Sequence, residues 1–259
     1  MPMKNIIARF VIVCTYAVSL LFTAQLACPL SAAEKSPCLK CHQKLVKGKV
    51  IHKAVEMGCE ACHGAINAGT VPHKKTNTLP RGLSSDQPDL CYGCHDQAMF
   101  TKKNVHPAIG MGCTTCHNPH SSMNKKLLTS VIPALCFTCH DKAGFTAKFV
   151  HPPVAGGECL TCHSPHSTDG IALLLKKPVA VCLDCHPDAV HGQHAPSRQP
   201  PVTEQASEDY KGPVLQDPAR PGRPFYCGSC HNPHSGMSPM LFRFDVKTRK
   251  DLCIQCHKM

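Results

Sequence analysis

The feature that most constrains this chain is a five-residue pattern, Cys-x-x-Cys-His, which occurs nine times among its 259 residues. Two cysteines three positions apart on a helical turn point to the same side, so both thiols can bond one edge of a porphyrin. The histidine that follows can then reach the iron from one face, which is the chemistry of c-type haem attachment. The pattern therefore predicts nine c-type haems as the iron-containing cofactors.

The residues involved can be read directly from the motifs. The cysteines expected to bond the haems are Cys38, Cys41, Cys59, Cys62, Cys91, Cys94, Cys113, Cys116, Cys136, Cys139, Cys159, Cys162, Cys182, Cys185, Cys227, Cys230, Cys253 and Cys256. The histidines expected to be the proximal iron ligands are His42, His63, His95, His117, His140, His163, His186, His231 and His257.

Other uses of paired cysteines fit the pattern poorly. Disulfides are common in exported proteins, but they give no reason for a histidine after every second cysteine. A thioredoxin-like site needs one motif within a βαβ framework that this sequence lacks. Structural zinc would leave the nine histidines without a role.

A second set of nine histidines lies outside the motifs, and one spare histidine per haem is what complete bis-histidine ligation requires. These candidate distal ligands are His52, His73, His106, His120, His151, His166, His191, His194 and His234.

The spare histidines occupy regular positions. Three of them lie seven or eight residues before a motif, and His106 before Cys113 is an example. Three others, such as His120, lie three residues after a motif histidine in an x-Pro-His sequence. His73 is a looser counterpart of this second group, ten residues after His63.

The regular positions allow two ligation schemes. A histidine three residues beyond the proximal one lies on the same side of its own porphyrin, so we expect it to serve a neighbouring haem. In one scheme His120 caps the haem at Cys91 and His106 caps the haem at Cys113. In the other, each x-Pro-His serves the next motif along the chain, and the sequence leaves both schemes open.

The last haems and the methionines add further alternatives. The fourth pair of motifs would use His234 and one of His191 and His194, and the other would serve the haem at Cys253. Methionines such as Met57 are rival ligands, although we expect most of them to pack against porphyrin faces.

The motifs form an internal repeat. Motifs preceded by an apolar residue, as at Cys91, alternate with motifs preceded mostly by glycine or an acidic residue, as at Cys113. From Cys91 to Cys182 equivalent motifs recur after 45 or 46 residues. Pairing from the N-terminus gives four pairs and leaves the motif at Cys253 single. We expect a haem-binding array over residues 34–190, a proline-rich insertion over 191–224 and a C-terminal haem-binding segment over 225–259.

Composition predicts the fold class. The chain has no tryptophan, 5% aromatic residues and 23 prolines, so porphyrins must supply most of the core. We expect a mainly α protein with little regular structure, in which short helices and long loops surround a stacked haem array with almost no sheet. Residues 124–135 and 170–181 are the segments with the best helix formers.

The N-terminus resembles an export signal. Residues 1–33 combine a short cationic segment, an apolar run over residues 10–27 and Ser31-Ala32-Ala33, which predicts a cleaved signal peptide and a periplasmic protein. An uncleaved membrane anchor needs roughly 20 apolar residues and this run is interrupted, but membrane contact would follow if it were retained. Lipidation at Cys28 is a third alternative.

The apparent basicity does not indicate nucleic-acid binding. The formal charge of +11 falls to +9 without Lys4 and Arg9, and nine haems would add eighteen propionates. The loaded protein would then run from about 0 when oxidised to about −9 when reduced.

The motifs resemble those of the doubled Cys-x-x-Cys-His family of multihaem cytochromes c. The most specific parts are the stretches Cys113–His120, Cys159–His166 and Cys227–His234, each ending in x-Pro-His. The resemblance implies closely stacked haems, as in periplasmic electron carriers and in the decahaem subunits of outer-membrane conduits. Partners in that family are redox proteins such as quinol dehydrogenases and terminal reductases.

Three functions follow from this sequence. The leading one is an electron-transfer protein, not an enzyme, in a respiratory pathway. A reductase of a small nitrogen or sulfur compound would need one iron with an open position. A membrane-anchored quinol dehydrogenase would need residues 10–27 to be retained.

Overall fold

The structure, a computed structural model, describes residues 36–188, 216–246 and 248–257. Its regular elements are all short. The α-helices are α1 (Leu39–His42), α2 (Asp89–Tyr92), α3 (Pro152–Ala155), α4 (Pro178–Leu183), α5 (Cys227–Cys230) and α6 (Arg249–Cys253). The 3₁₀ helices are Gln43–Val46, Lys53–Met57, Cys59–Ala61, Pro80–Gly82, Gln97–Met99, Pro107–Met111, Cys113–Thr115, Lys125–Leu127, Cys136–Thr138, Lys142–Phe145, Cys159–Thr161 and Ile171–Leu173.

Within the described ranges the strands are two residues long and form four separate antiparallel pairs. They are β1 (Val50–Ile51), β2 (Ile66–Asn67), β3 (Lys74–Lys75), β4 (Asn104–Val105), β5 (Ser121–Ser122), β6 (Phe149–Val150), β7 (Ser167–Thr168) and β8 (Ser235–Gly236). The pairs are β1 with β5, β2 with β3, β4 with β7, and β6 with β8.

The helical content is lower than expected from the sequence, while long loops and minimal sheet agree with expectation. Over residues 124–135 the only helix is the 3₁₀ turn Lys125–Leu127. Over residues 170–181 there is a 3₁₀ turn followed by α4, which begins at Pro178. Proline is well placed there because the first residue of a helix needs no backbone donor.

Each of the nine motifs forms one helical turn. In every motif the histidine backbone N–H donates to the carbonyl of the first cysteine, at 2.9 to 3.1 Å. This turn brings the two cysteines and the histidine together, as the spacing predicts. Gly58 and Gly112 precede two of these turns with φ of 101° and 95°, which explains why glycine stands before Cys59 and Cys113.

Three of the strand pairs join one repeat to the next. β1, which lies before the motif at Cys59, pairs with β5, which lies after the motif at Cys113. β4, before the motif at Cys113, pairs with β7, after the motif at Cys159. β6, before the motif at Cys159, pairs with β8, after the motif at Cys227. The repeats therefore follow one another in space as a linear array.

A buried serine reinforces each of these junctions. Ser121 Oγ accepts a hydrogen bond from the Gly48 backbone N–H at 3.0 Å and donates to the Leu45 carbonyl at 2.7 Å. Ser167 and Ser235 repeat this pattern with the preceding repeat. All three serines are buried.

The segment before the motif at Cys227 is held differently. Asp217 is 1% exposed and forms ion pairs with Arg220 at 2.7 Å and with Arg243 at 3.5 Å. Arg220 also donates to the Gly228 carbonyl at 2.8 Å. A buried carboxylate is stable only when it is paired in this way. The cluster therefore connects parts of the last repeat to one another and not to the preceding repeat.

Side-chain packing supplies little of a core. In the described ranges only Ala65 and Val179 are buried apolar residues, whereas seven buried residues are polar or charged. Within the same ranges no helix is long and apolar enough to cross a membrane. The predicted signal peptide, its alternatives and most of the predicted insertion lie outside the described residues.

Candidate haem-binding sites

Seven motif histidines each lie beside one spare histidine, with ring centroids 5.9 to 6.1 Å apart. The pairs, motif histidine first, are His42 with His73, His63 with His120, His95 with His52, His117 with His166, His140 with His106, His163 with His234, and His186 with His151.

This separation has a direct chemical meaning. Two imidazoles on opposite faces of one iron, each with a metal–nitrogen bond of about 2 Å, have ring centroids roughly 6 Å apart. The rings are close to parallel in four pairs, with interplanar angles of 9° to 25°, and tilted by 33° to 39° in the other three. The residues present therefore fit an iron porphyrin held between two histidines.

The pairing follows a rule that differs from both schemes drawn from the sequence. A spare histidine that precedes one motif lies beside the histidine of the motif after that one. His106, for example, precedes the motif at Cys113 and lies beside His140 of the motif at Cys136. The x-Pro-His histidine lies beside a motif histidine of the preceding repeat, so His120 is next to His63. In the first scheme His120 would have been beside His95, and in the second it would have been beside His140.

The strand pairs produce this crossing arrangement. The backbone N–H of His52 donates to the carbonyl of His120 at 2.9 Å, and His106 and His151 donate in the same way to His166 and His234. Each β-junction thus carries one spare histidine from each repeat. Their side chains lie beside the histidines of two consecutive motifs, which for the first junction are His95 and His63.

Backbone carbonyls set the orientation of the proximal rings. Nδ1 of His63, His117, His163 and His231 lies 2.7 to 3.0 Å from the carbonyls of Arg81, Lys126, Ala172 and Met240. A carbonyl can only accept, so each Nδ1 carries the proton and each Nε2 keeps its lone pair. This is how proteins orient histidine ligands toward a metal.

Three of these carbonyls belong to residues with a left-handed backbone. Arg81, Lys126 and Ala172 have φ of 55°, 57° and 51°. The left-handed conformation costs a non-glycine residue about 1 kcal/mol or more, so its repetition at equivalent positions indicates a local constraint. The turn that adopts it is the one that delivers the carbonyl to the proximal ring.

Two spare histidines are held by the same device. His52 Nδ1 lies 2.9 Å from the Pro119 carbonyl, and His73 Nδ1 lies 2.7 Å from the Thr70 carbonyl. Burial and neighbouring histidines lower the pKa of His120, His166 and His234. The neutral form favoured by this shift is the form that binds a metal.

A cavity large enough for a cofactor adjoins one of the histidine pairs. A cavity of about 500 Å³ is lined by His63 and His120, and it extends to His117. Its lining also includes Arg81 and Leu45. This volume lies within the usual range for cofactor pockets, which is about 300 to 1,000 Å³.

The cysteines of consecutive motifs also meet. The thiol pairs close enough for one thiol to shift the pKa of the other are Cys38 with Cys59, Cys91 with Cys113, Cys136 with Cys159, and Cys182 with Cys227. The thiols close enough for their charges to interact include Cys62 with Cys91, Cys116 with Cys136, Cys162 with Cys182, and Cys230 with Cys253. Burial and the Cys113 thiol raise the pKa of Cys91 to about 11. The attachment points therefore follow one another in sequence order.

The remaining candidates are less constrained. His191 and His194 lie outside the described residues, so their ligation stays a prediction, as do the roles of His231 and His257. Methionines near the motifs are exposed, including Met57 at 69% and Met111 at 65%. Within the described ranges no group of three or more histidine, cysteine or acidic side chains could hold a metal ion.

Repeated motif turns, paired histidines and successive cysteines define a multihaem c-type cytochrome, a class of electron-transfer protein. The comparison with known families agrees. The chain belongs to the doubled CXXCH motif family, which matches residues 52–100, 106–145, 151–191 and 218–259.

A curated relative gives a second, narrower match. The multihaem cytochrome MtrA of Shewanella baltica is 31% identical over 101 residues, which is 36% of this chain and 28% of MtrA. The chain thus matches less than a third of the length of that relative.

The family match groups the motifs differently from the grouping expected from the sequence. Each matched segment contains two consecutive motifs. The segment 106–145, for example, contains the motifs at Cys113 and Cys136. Cys253 then belongs with Cys227, and the motif at Cys38 is the one outside a matched pair. In this grouping His106 and His140 lie within one unit.

Sequence reasoning missed two features of the site. Each x-Pro-His is followed by a serine, as in Pro119-His120-Ser121, and this serine holds the junction between repeats. That signal was visible in the sequence. The carbonyls of Arg81, Lys126 and Ala172 left no such signal, because the three residue types share nothing except their place in the turn.

Proposed function

We propose that this protein is an exported nonahaem cytochrome c that carries electrons along a chain of bis-histidine haems in a respiratory pathway. The observation that carries the proposal is the set of seven histidine pairs at 5.9 to 6.1 Å. In each of the seven pairs the distance between the rings fits two histidine ligands of one iron, and the packing of polar surface residues does not explain this regularity.

The nine sites have defined roles for residues of this chain. The motif cysteines would form thioether bonds to the porphyrin, and the motif histidines would bind the iron. The spare histidines of the seven pairs would be the second iron ligands. His191 and His194 would supply the two remaining ligands, for the sites of His231 and His257.

The chain prepares each site for electron transfer. Bound haem cycles between ferric and ferrous iron and so takes up one electron at a time. The carbonyls that hold Nδ1 keep the histidine rings in one tautomer and orientation, which limits rearrangement between the two oxidation states. The succession of neighbouring cysteines supports porphyrin edges that would lie close together in sequence order.

The same ligation argues for a carrier, not an enzyme. Reduction of a small substrate needs an iron with an open position, and a full set of histidine pairs leaves none. The partners would then be redox proteins such as a quinol dehydrogenase, a terminal reductase or an outer-membrane conduit. Residues 1–33 would direct the chain to the periplasm and be removed there.

Carbon monoxide tests this ligation. Added to the fully reduced protein, it should leave the haem absorbance unchanged, because every iron would already have two histidine ligands. A spectral shift in the wild-type protein would reveal an open site and favour a reductase.

N-terminal sequencing of the purified protein tests the export signal. The first residue found should be near Glu34, and a retained N-terminus would favour the membrane-anchored alternative.

A further inference from the structure

Positive charge is concentrated at one end of the array. Residues 36–81 contain seven lysines and one arginine but only two glutamates, a net charge of +6, whereas residues 82–188 contain eight lysines and eight acidic residues. The eight basic residues of the first segment are all exposed, and we call them the N-terminal basic surface. They are Lys40, Lys44, Lys47, Lys49, Lys53, Lys74, Lys75 and Arg81.

This charge has few internal partners. In the described ranges, the side-chain ion pairs join Lys176 to Asp184 and join Arg220 and Arg243 to Asp217, so none involves residues 36–81. Lys75 donates to a backbone carbonyl, that of Leu79, at 3.1 Å.

Haem propionates would preserve the asymmetry. Each haem adds two carboxylates, so the two motifs of residues 36–81 would add four negative charges to an excess of six positive ones. The five motifs of residues 82–188 would add ten negative charges to a balanced segment. The protein would remain positive at this end and become negative along its middle.

The basic residues share their segment with the first site of the array. The pair His42 and His73 lies wholly within residues 36–81. Hydrogen bonds that connect this segment to the repeat around Cys113 include those of His52 Nδ1 with the Pro119 carbonyl and of Ser121 Oγ with the Leu45 carbonyl. In the part of the chain that the structure describes, the site at Cys38 is the first of the array and its cysteine lies close to Cys59 of the next site.

We propose that the N-terminal basic surface is the docking site for a redox protein with an acidic face, which exchanges electrons with the array through the haem at Cys38. The inference rests on the proposed function. The transfer would move one electron from the reduced partner to the haem that Cys38, Cys41, His42 and His73 would hold, with no bond formed and no proton moved. A protein partner is favoured over an anionic membrane because the charge is gathered at the end of an electron path.

Charge complementarity of this kind accelerates encounter more than it tightens the complex. Opposite potentials raise association rates by about 10- to 1,000-fold at low ionic strength. The effect weakens as the Debye length falls from about 30 Å at 0.01 M salt to about 8 Å at 0.15 M salt.

The experiment compares two charge-reversal variants of the haem-loaded protein. The test variant is Lys44→Glu/Lys47→Glu/Lys49→Glu, and the matched control is Lys102→Glu/Lys103→Glu/Lys142→Glu, which makes the same change in net charge at exposed positions elsewhere. Stopped-flow reduction by an acidic flavodoxin is measured at 0.01 M and 0.15 M salt. Reduced lumiflavin, a small molecule without a protein surface, is the second reductant. Titration calorimetry with oxidised flavodoxin and sedimentation with phosphatidylglycerol vesicles measure binding.

We expect the test variant to react with flavodoxin at least about 10-fold more slowly than the control at low salt, and the difference to shrink at 0.15 M. Flavodoxin binding should weaken in parallel, while rates with lumiflavin stay equal. Equal flavodoxin rates for both variants would overturn the docking proposal. A test variant that loses vesicle binding but keeps its flavodoxin rate would also overturn it, because the basic surface would then bind a membrane. A wild-type protein that accepts no electrons from lumiflavin would instead refute the proposed function.

Discussion

At the scale of single residues, the proposed ligation depends on two kinds of histidine that come from different parts of the chain. The motif histidine follows its own cysteines, and most of the paired spare histidines lie at a β-junction between repeats. The His52 backbone N–H and the His120 carbonyl are hydrogen-bonded at one junction, at 2.9 Å, yet the two rings lie beside His95 and His63. One junction would therefore serve two irons.

This arrangement predicts the outcome of removing the spare histidines. His120→Ala should leave one iron five-coordinate, so the reduced protein should bind one equivalent of carbon monoxide, measured by difference absorbance. His52→Ala should do the same, and the double variant should bind two equivalents because two irons are affected. One equivalent in the double variant would mean that both histidines serve the same haem.

At the scale of elements, the buried serines hold the repeats together. Ser167 Oγ donates to the Met99 carbonyl at 2.9 Å and accepts from the Lys102 backbone N–H at 3.2 Å. Ser167→Ala would leave both backbone groups of this part-buried junction without their partner, which costs about 1 to 3 kcal/mol.

Thermal unfolding followed by haem absorbance measures this cost. The control is Thr101→Ala, which removes an exposed hydroxyl that donates to the Gln97 carbonyl and should change stability by less than about 0.5 kcal/mol. Equal melting temperatures for the two variants would show that the serine does not hold the junction.

The last repeat depends on a different element, the ion cluster around Asp217. Asp217→Asn should destabilise this repeat by about 3 kcal/mol, because Arg220 and Arg243 would lose their buried counter-charge. Asp184→Asn is the matched control, since its pair with Lys176 is 52% exposed at both ends and contributes less than about 1 kcal/mol. Hydrogen exchange confined to residues 216–246 should separate the two variants, and identical exchange would contradict a structural role for the cluster.

The limits of sequence reasoning are clearest at this scale. The motif turns at Cys38 and Cys113 could be predicted because spacing alone determines which side chains share a face. The partner of His120 could not, because it depends on β1 meeting β5 across about 70 residues, and two-residue strands leave no period in the sequence. Ser121 could have been found from its repetition after x-Pro-His, whereas the left-handed carbonyl of Ala172 has no residue type to mark it.

At the scale of the whole molecule, the chain is a scaffold whose interior comes from its cofactors. Ala65 and Val179 are too little apolar material to offset the conformational entropy of the described residues. We therefore expect the chain made without haem attachment to remain unfolded, with no cooperative transition in circular dichroism on heating. A cooperative transition in that haem-free chain would show that the polypeptide has a core of its own.

The central claim also concerns the whole molecule, because the proposed electron path depends on covalent haem at all nine motifs. The intact mass of the purified protein tests it most directly. We predict the mass of the chain from about Glu34 plus nine haems, with eighteen cysteines consumed as thioethers. A mass with fewer haems, or one matching free or disulfide-bonded cysteines, would contradict the account.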